Sequence, residues 1–358
     1  MTNESAPNLT PDPFKRQLTL ATFGLLFVVL IIHLLEKFAT ILKPLFIAVF
    51  IGYVVYPVHR WLVQRGVRPR LAFGMIFVVL LGIFLGVGQA VYDSITSFTP
   101  EKVLVYRNRI ESFADKTTAL VHPSEPTLAR ERVRRFVEST GLPAQDAIGA
   151  VQGIAGSFFG FLTFALVVSV YLVFLMAEKI TFPRRLGLAF GEGQASQILD
   201  VVGRINEAIV QYVAVKAWIS FLTAAMSLVV FLAFGVEFAM VWGILIFLLN
   251  FIPYLGSLVA LAPPIALAFL QLESPWLGLA VTVLLIGVQL FTGQYLEPRL
   301  AGRRLNLSPL LILLALAFWG NLWGLAGMVL AVPLTVVCKI VLDSIRETKP
   351  VGALMSNV

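Results

Sequence analysis

Among the polar side chains of this sequence, a sparse set lies inside or beside long apolar stretches. There an ionisable or amide group is expensive to keep and marks a functional position by default. Asn250 and Tyr254 flank an interruption that also holds Pro253 and Gly256; Gln289, Gln294 and Glu297 line one run; Asn306 and Ser308 precede another. Amide and hydroxyl groups are the hydrogen-bond partners that an uncharged polar solute needs, whereas coupling to a cation or proton would use the carboxylate of Glu297. Gln294 and Glu297 are three apart, which on an α-helix puts them on one face, and Pro298 is expected to stop that helix. Plainer readings stand beside these. Glu297 can be interfacial and paired with Arg299 or Arg303, Asn250 can cap the break, and Asn321 can be a turn former.

The parts of several enzyme classes are missing. There is no G-x-x-x-x-G-K-[ST] loop to cradle a nucleotide and no H-E-x-x-H for a metal. His33, His59 and His122 lie at or outside the ends of apolar runs, and Asp93 and Asp343 sit at run ends, so paired intramembrane aspartates are lacking too. The sequence calls for no enzyme, no cofactor and no metal. Cys338 is the single cysteine, which precludes an intramolecular disulfide, and reads as a packed core residue.

Apolar segments must position the polar groups. Of 358 residues, 58% are hydrophobic and only 13% charged, with a mean hydropathy of +0.89, against about 25% charged in soluble domains. The bilayer must therefore act as solvent. Apolar runs fall at about 18–35, 41–58, 71–92, 151–177, 213–234, 238–270, 276–296 and 308–342, each able to cover ~30 Å of hydrocarbon. This predicts an all-α, polytopic membrane protein of about eight membrane segments. The expected organisation is a disordered cytoplasmic tail at 1–17, three transmembrane helices over 18–93, and a small helical extracytoplasmic insert at 94–150. A fourth span at 151–177 and a cytoplasmic loop with an amphipathic helix over 178–212 follow. A transport core at 213–345 and a cytoplasmic tail at 346–358 complete the chain. No small-residue cleavage site follows the first run, so it is expected to stay attached. Ile198, Val201, Val202, Ile205, Ile209 and Val213 recur at helical spacing opposite Asp200, Arg204, Glu207 and Gln211. Such a helix can lie in the interface or pair with another helix, and a membrane-surface helix leading into the next span is the favoured expectation.

Charge fixes the orientation. The net charge is +7, and the cations sit at the ends of apolar runs, which marks topology rather than nucleic-acid binding. Arg60, Arg65, Arg68 and Arg70, then Lys179, Arg184 and Arg185, then Arg299, Arg303 and Arg304, then Lys339, Arg346 and Lys349 fall on one side with Lys15, Arg16, Arg204 and Lys216; the opposite short loops hold only Lys37 and Lys43. Both termini are accordingly expected in the cytoplasm. That alternation closes only if 238–270 and 308–342, each too long for one straight span, turn back as broken helical hairpins. The breaks are expected at 250–256 and 319–324. Non-helical backbone at membrane depth is tolerated where it lines a wet cavity, and paired interrupted segments of opposite orientation point to a transporter's binding site. Pro298, Pro309, Gly320, Asn321, Gly324 and Pro333 are the hinge or hairpin-tip candidates, and the two tips are expected to approach each other around a polar cavity.

The residues Asn250, Phe251, Ile252, Pro253, Tyr254, Leu255 and Gly256, then Gln294, Tyr295, Leu296, Glu297, Pro298 and Gly302, form a recognisable succession. It continues with Leu307, Ser308, Pro309, Leu310, Gly320, Gly324, Gly327, Ala331, Val332, Pro333 and Leu334. With Pro44, Tyr53, Pro57 and the stretch from Arg68 to Ala72, the chain resembles the AI-2E family of autoinducer-2 exporter-like permeases, densely over about 200–345 and more weakly over 15–93. The resemblance implies a secondary permease of the bacterial cytoplasmic membrane, a homo-oligomer without ATPase parts, with membrane lipids and a small polar solute as partners and autoinducer-2 as the leading solute. Other members of the family resemble monovalent cation/proton antiporters, so proton or sodium coupling is the alternative. A reading of another class is a non-transporting membrane scaffold or regulator that would work through the insert 94–150 or the helix at 196–216.

Overall fold

A computed structural model describes residues 13–96, 144–272, 274–301 and 307–356; the expected insert falls mostly outside them, and Asn306 entirely so. The described residues are helical, with no strand among them. Helix α1 (Pro13–Lys37) takes in 13–17, which the sequence pattern assigns to the tail; Pro13 occupies the first helical position, where its missing N–H costs nothing. Helices α2 (Ala39–Gln64) and α3 (Pro69–Thr96) follow. Helix α2 ends at Gly66, whose φ of 89° lets the Val67 N–H reach back to the Leu62 carbonyl at 3.2 Å, a glycine C-cap of Schellman type.

Helix α4 (Ala144–Ala233) is broken only at Gly191, at φ 76° and ψ 163°. The amphipathic stretch at 196–216 is therefore not a separate surface helix. It runs straight into the next span, and its apolar face packs inside the protein: Ile205, Ile209 and Val213 join Phe50, Tyr53 and Val54 of α2 and Leu330, Ala331 and Leu334 further on. The Tyr53 hydroxyl donates to the Asn206 side-chain oxygen in the same seam. After Gly191, α4 extends for roughly 60 Å at 1.5 Å per residue, about twice the hydrocarbon thickness.

Helices α5 (Ala239–Leu249) and α6 (Leu255–Gln271) replace the first interrupted run. At about 16 Å, α5 is too short to cross a bilayer. The reversal is a tight turn over 250–254, with Tyr254 at φ 62°. Gly256 sits so close to Leu249 that a Cβ there would overlap the Leu249 carbonyl oxygen. The Gln271 side chain ties the hairpin's far end to the close of α4, accepting from the Glu237 N–H at 2.7 Å and donating to the Gly235 carbonyl at 2.7 Å. Helix α7 (Pro275–Gln289) starts on a Ser274 cap followed by Pro275. It passes into a π-helix (Leu290–Leu296) and then into short α8 (Glu297–Ala301). The chain thus does not stop at Pro298. The α register resumes at Glu297, and the proline falls in the first turn, where no N–H is required of it.

Helices α9 (Pro309–Trp323) and α10 (Leu325–Ser344) form the second hairpin. Only Gly324, at φ 65°, leaves the helix; Trp319, Gly320 and Asn321 remain in α9, so the break is narrower than expected. Gly327 lies against the Trp319 carbonyl and Gly320 against the Met328 side chain, which closes the hairpin tightly. Cys338 on α10 is exposed, not packed in the core. The chain's last stretch is a folded element as well. Helix α11 (Lys349–Leu354) returns to α10, Gly352 abuts the Asp343 carboxylate, and the Met355 carbonyl accepts from the Ser308 N–H at 3.1 Å. Among the described residues, four helices are long and apolar enough to cross a membrane by length and composition, with shorter apolar ones beside them. Large apolar side chains are exposed on nearly all of them. This is an all-α, polytopic membrane protein.

Candidate functional site

One face of α4 gathers buried polar groups. Tyr212, Lys216, Ser220, Thr223 and Ser227 are spaced four, four, three and four apart, which on an α-helix is a single stripe. Ser220, Thr223 and Ser227 are fully buried and Lys216 nearly so, whereas Trp218, Phe221, Val229 and Leu232 on the other faces are exposed. Over 218–232 large apolar side chains of this helix thus face outward, and the polar stripe, together with the buried Ile219 and Phe231, faces the protein, as a lipid solvent allows. From Lys216 to Ser227 the stripe descends about 16 Å, half the hydrocarbon thickness.

Two distant segments deliver partners to the stripe. Asn250 closes α5, its backbone N–H donating to the Ile246 carbonyl at 3.0 Å, so it is a helix cap; its side chain also acts, Nδ2 donating to Ser220 Oγ at 3.1 Å. Lys216 Nζ donates to Glu297 Oε1 at 2.6 Å, with side-chain exposures of 6% and 30% respectively. An ammonium so nearly dry needs a countercharge, because an uncompensated buried charge costs several kcal/mol. Glu297 and Asn250 are thereby held one turn apart along the same helix.

The π-helix explains why Glu297 reaches Lys216. The Glu297 N–H bonds to the Thr292 carbonyl, five residues back, so one extra residue is wound into the turn. That residue rotates the start of α8 by about 100° relative to an unbroken α-helix. The shared face expected for Gln294 and Glu297 is lost for this reason: Gln294 is exposed, while Glu297 is half-buried against α4. Neither predicted arginine pairs with Glu297 among the described residues. The Arg299 guanidinium lies 3.8 Å from the centre of the Tyr295 ring, and Arg303 is outside the described residues.

The other candidates are dispersed. Pro253 is half-buried, Tyr254 is 62% exposed, and Gly256 is buried at the hairpin contact. Gln289 is half-buried beneath Gly293. Ser308 is the N-cap of α9, its Oγ accepting from the Leu311 N–H at 3.1 Å, with Pro309 exposed in the first turn. Asn321 and Gly324 are exposed, Gly320 is half-buried, and Pro333 lies within the buried run 330–336 of α10. Phe251 and Ile252 from the first tip and Trp319 and Trp323 from the second belong to one buried cluster with Phe50 and Val213. The groups shared by the two tips are apolar, and the polar groups line α4.

Sequence reasoning missed Tyr212, Ser220, Thr223 and Ser227, and it counted Lys216 only as a marker of sidedness. The signal was present: polar residues at four-four-three-four spacing within an otherwise apolar run. Averaged hydropathy hides such a stripe, and only its phase reveals it. Among the described residues, no group of three His, Cys, Asp or Glu side chains is placed to hold a metal.

The model of the AI-2E family transporter matches residues 20–347. A candidate transport protein of Haemophilus influenzae is 28% identical over 94% of this chain and 95% of its own length. The AI-2 transport protein TqsA of Escherichia coli K12 is 28% identical over 89% of this chain and 90% of its own. A sodium-lithium/proton antiporter of Halobacillus andaensis is 25% identical over 90% and 94%.

Proposed function

Since the chain belongs to the AI-2E transporter family, a family of membrane permeases, we propose that it exports a small polar solute of the autoinducer-2 type across the bacterial cytoplasmic membrane, with both termini in the cytoplasm. The observation that carries this reading is the convergence of Asn250 and Glu297 on one buried polar stripe of α4, through Ser220 and Lys216. A stripe reaching half-way through the hydrocarbon gives a polar solute successive hydrogen-bonding stations. The relative named for AI-2 transport supports the choice of solute. The hairpins α5–α6 and α9–α10 are the elements that would move, since each turns on a single strained or glycine residue, and the carrier would work as a homo-oligomer.

A second reading, exchange of a monovalent cation for protons, draws on the Glu297 carboxylate held by Lys216 and on the relative named as an antiporter. Proteoliposomes loaded with autoinducer-2 test both. Export should exceed that of protein-free liposomes and should fall at least tenfold in Asn250→Leu; equal retention with and without protein overturns the export reading. Collapse of an imposed pH gradient on adding Na⁺ or Li⁺, without solute flux, would select the exchange reading.

A further inference from the structure

We infer that Tyr212, Lys216 and Glu297 form a recognition site for an uncharged solute bearing adjacent hydroxyl and carbonyl oxygens; this deepens the permease reading and rests on it. Lys216 has three N–H donors and, among the described residues, one acceptor, Glu297 Oε1. Its side chain is only 6% exposed, so water is not at hand for the other two. One turn back on the same face, the Tyr212 hydroxyl is buried and has no hydrogen-bond partner among the described residues. A buried polar group left unmade is a standing cost of folding, and here two sets of idle donors belong to residues one turn apart on one helix face, their Cβ atoms about 6 Å apart. Tyr212 is held there by packing against the buried cluster of Leu307, Val332 and Val336.

The site's charge selects the ligand. Lys216 and Glu297 cancel, so an anion entering beside them meets the carboxylate's repulsion and a cation meets the ammonium's, each while losing its own hydration. A neutral molecule meets neither penalty. A carbonyl or ether oxygen accepts from the idle donors of Lys216 and Tyr212, while a neighbouring hydroxyl donates to the Glu297 carboxylate, which is still 30% exposed.

Three-carbon probes of matched size test this in proteoliposomes: dihydroxyacetone (neutral), glycerate (anionic) and 2-amino-1,3-propanediol (cationic). The wild-type protein should carry dihydroxyacetone about tenfold faster than either charged probe. Tyr212→Phe should cut the dihydroxyacetone flux about tenfold, the loss of one hydrogen bond, while leaving thermal stability unchanged or raised, because it deletes an unpaired hydroxyl. Lys216→Met/Glu297→Gln, which removes both charges together, should also lose the preference for the neutral probe. Wild-type flux in Tyr212→Phe, or equal rates for all three probes, overturns the site. If the wild type exports autoinducer-2 but moves none of the probes faster than protein-free liposomes, the site is overturned and the permease reading stands; if it moves neither, the permease reading fails and the site with it.

Discussion

Replacing Glu297 with Gln removes the countercharge from an ammonium that cannot find water. Lys216 is 5% exposed and its side chain 6%, so the variant strands a buried charge, and breaking such a pair costs about 3–5 kcal/mol. The reverse change, Lys216→Met, leaves a carboxylate that is 30% exposed and can still be hydrated, so about 1–2 kcal/mol is expected. The double variant Lys216→Met/Glu297→Gln places a methionine of similar reach in the apolar seam and should return to within about 1–2 kcal/mol of the wild type. The cycle thus predicts Glu297→Gln as the least stable member and a favourable coupling of at least ~2 kcal/mol between the two positions. Equilibrium unfolding of the purified protein in mixed micelles, titrated with a denaturing detergent, measures all four. A Glu297→Gln variant within about 1 kcal/mol of wild type, or a double variant no more stable than Glu297→Gln, would refute the reasoning, because it would mean that water reaches Lys216.

Gly256→Ala and Gly327→Ala place a Cβ against the backbone carbonyls of Leu249 and Trp319, which cannot yield, and each should cost about 3 kcal/mol as its hairpin opens; Gly287→Ala, whose Cβ meets nothing within 4 Å, should be neutral or stabilising by up to ~1 kcal/mol in the same unfolding assay. Ser308→Ala removes the cap on the Leu311 N–H and should cost about 1 kcal/mol, seen as faster hydrogen exchange confined to the first turn of α9. Deleting Gly293 from the π-helix should restore an α register and turn Glu297 away from α4 by about 100°. Adding Glu297→Gln to that deletion should then cost almost nothing further, whereas additive losses would show that the π-turn does not aim this side chain.

Short stretches of the sequence decide a good deal for themselves. The apolar runs fix that helices form and that lipid surrounds them, since of the two folds that satisfy every backbone group without water a closed barrel needs short strands of alternating polarity, not unbroken apolar runs of this length. Ser274 before Pro275 and Ser308 before Pro309 announce helix starts, and Gly66, Gly235 and Gly324 announce ends, because caps and positive φ are properties of a few consecutive residues. The turn over 250–254 was legible for the same reason. The partners within the site were not. A helix turns 100° per residue, so a single residue wound into the π-segment redirected Glu297 from its expected neighbour Gln294 to Lys216 on a helix far away in the chain. Hydropathy gave Lys216 and Ser220 no more weight than any loop residue, because it counts composition and not phase. Which face of α4 is buried, and hence that its buried cation needs an anion and that Asn250 meets a serine, depends on which helices pack there. That is settled by the summed contacts of the whole assembly, and no stretch of the sequence contains it.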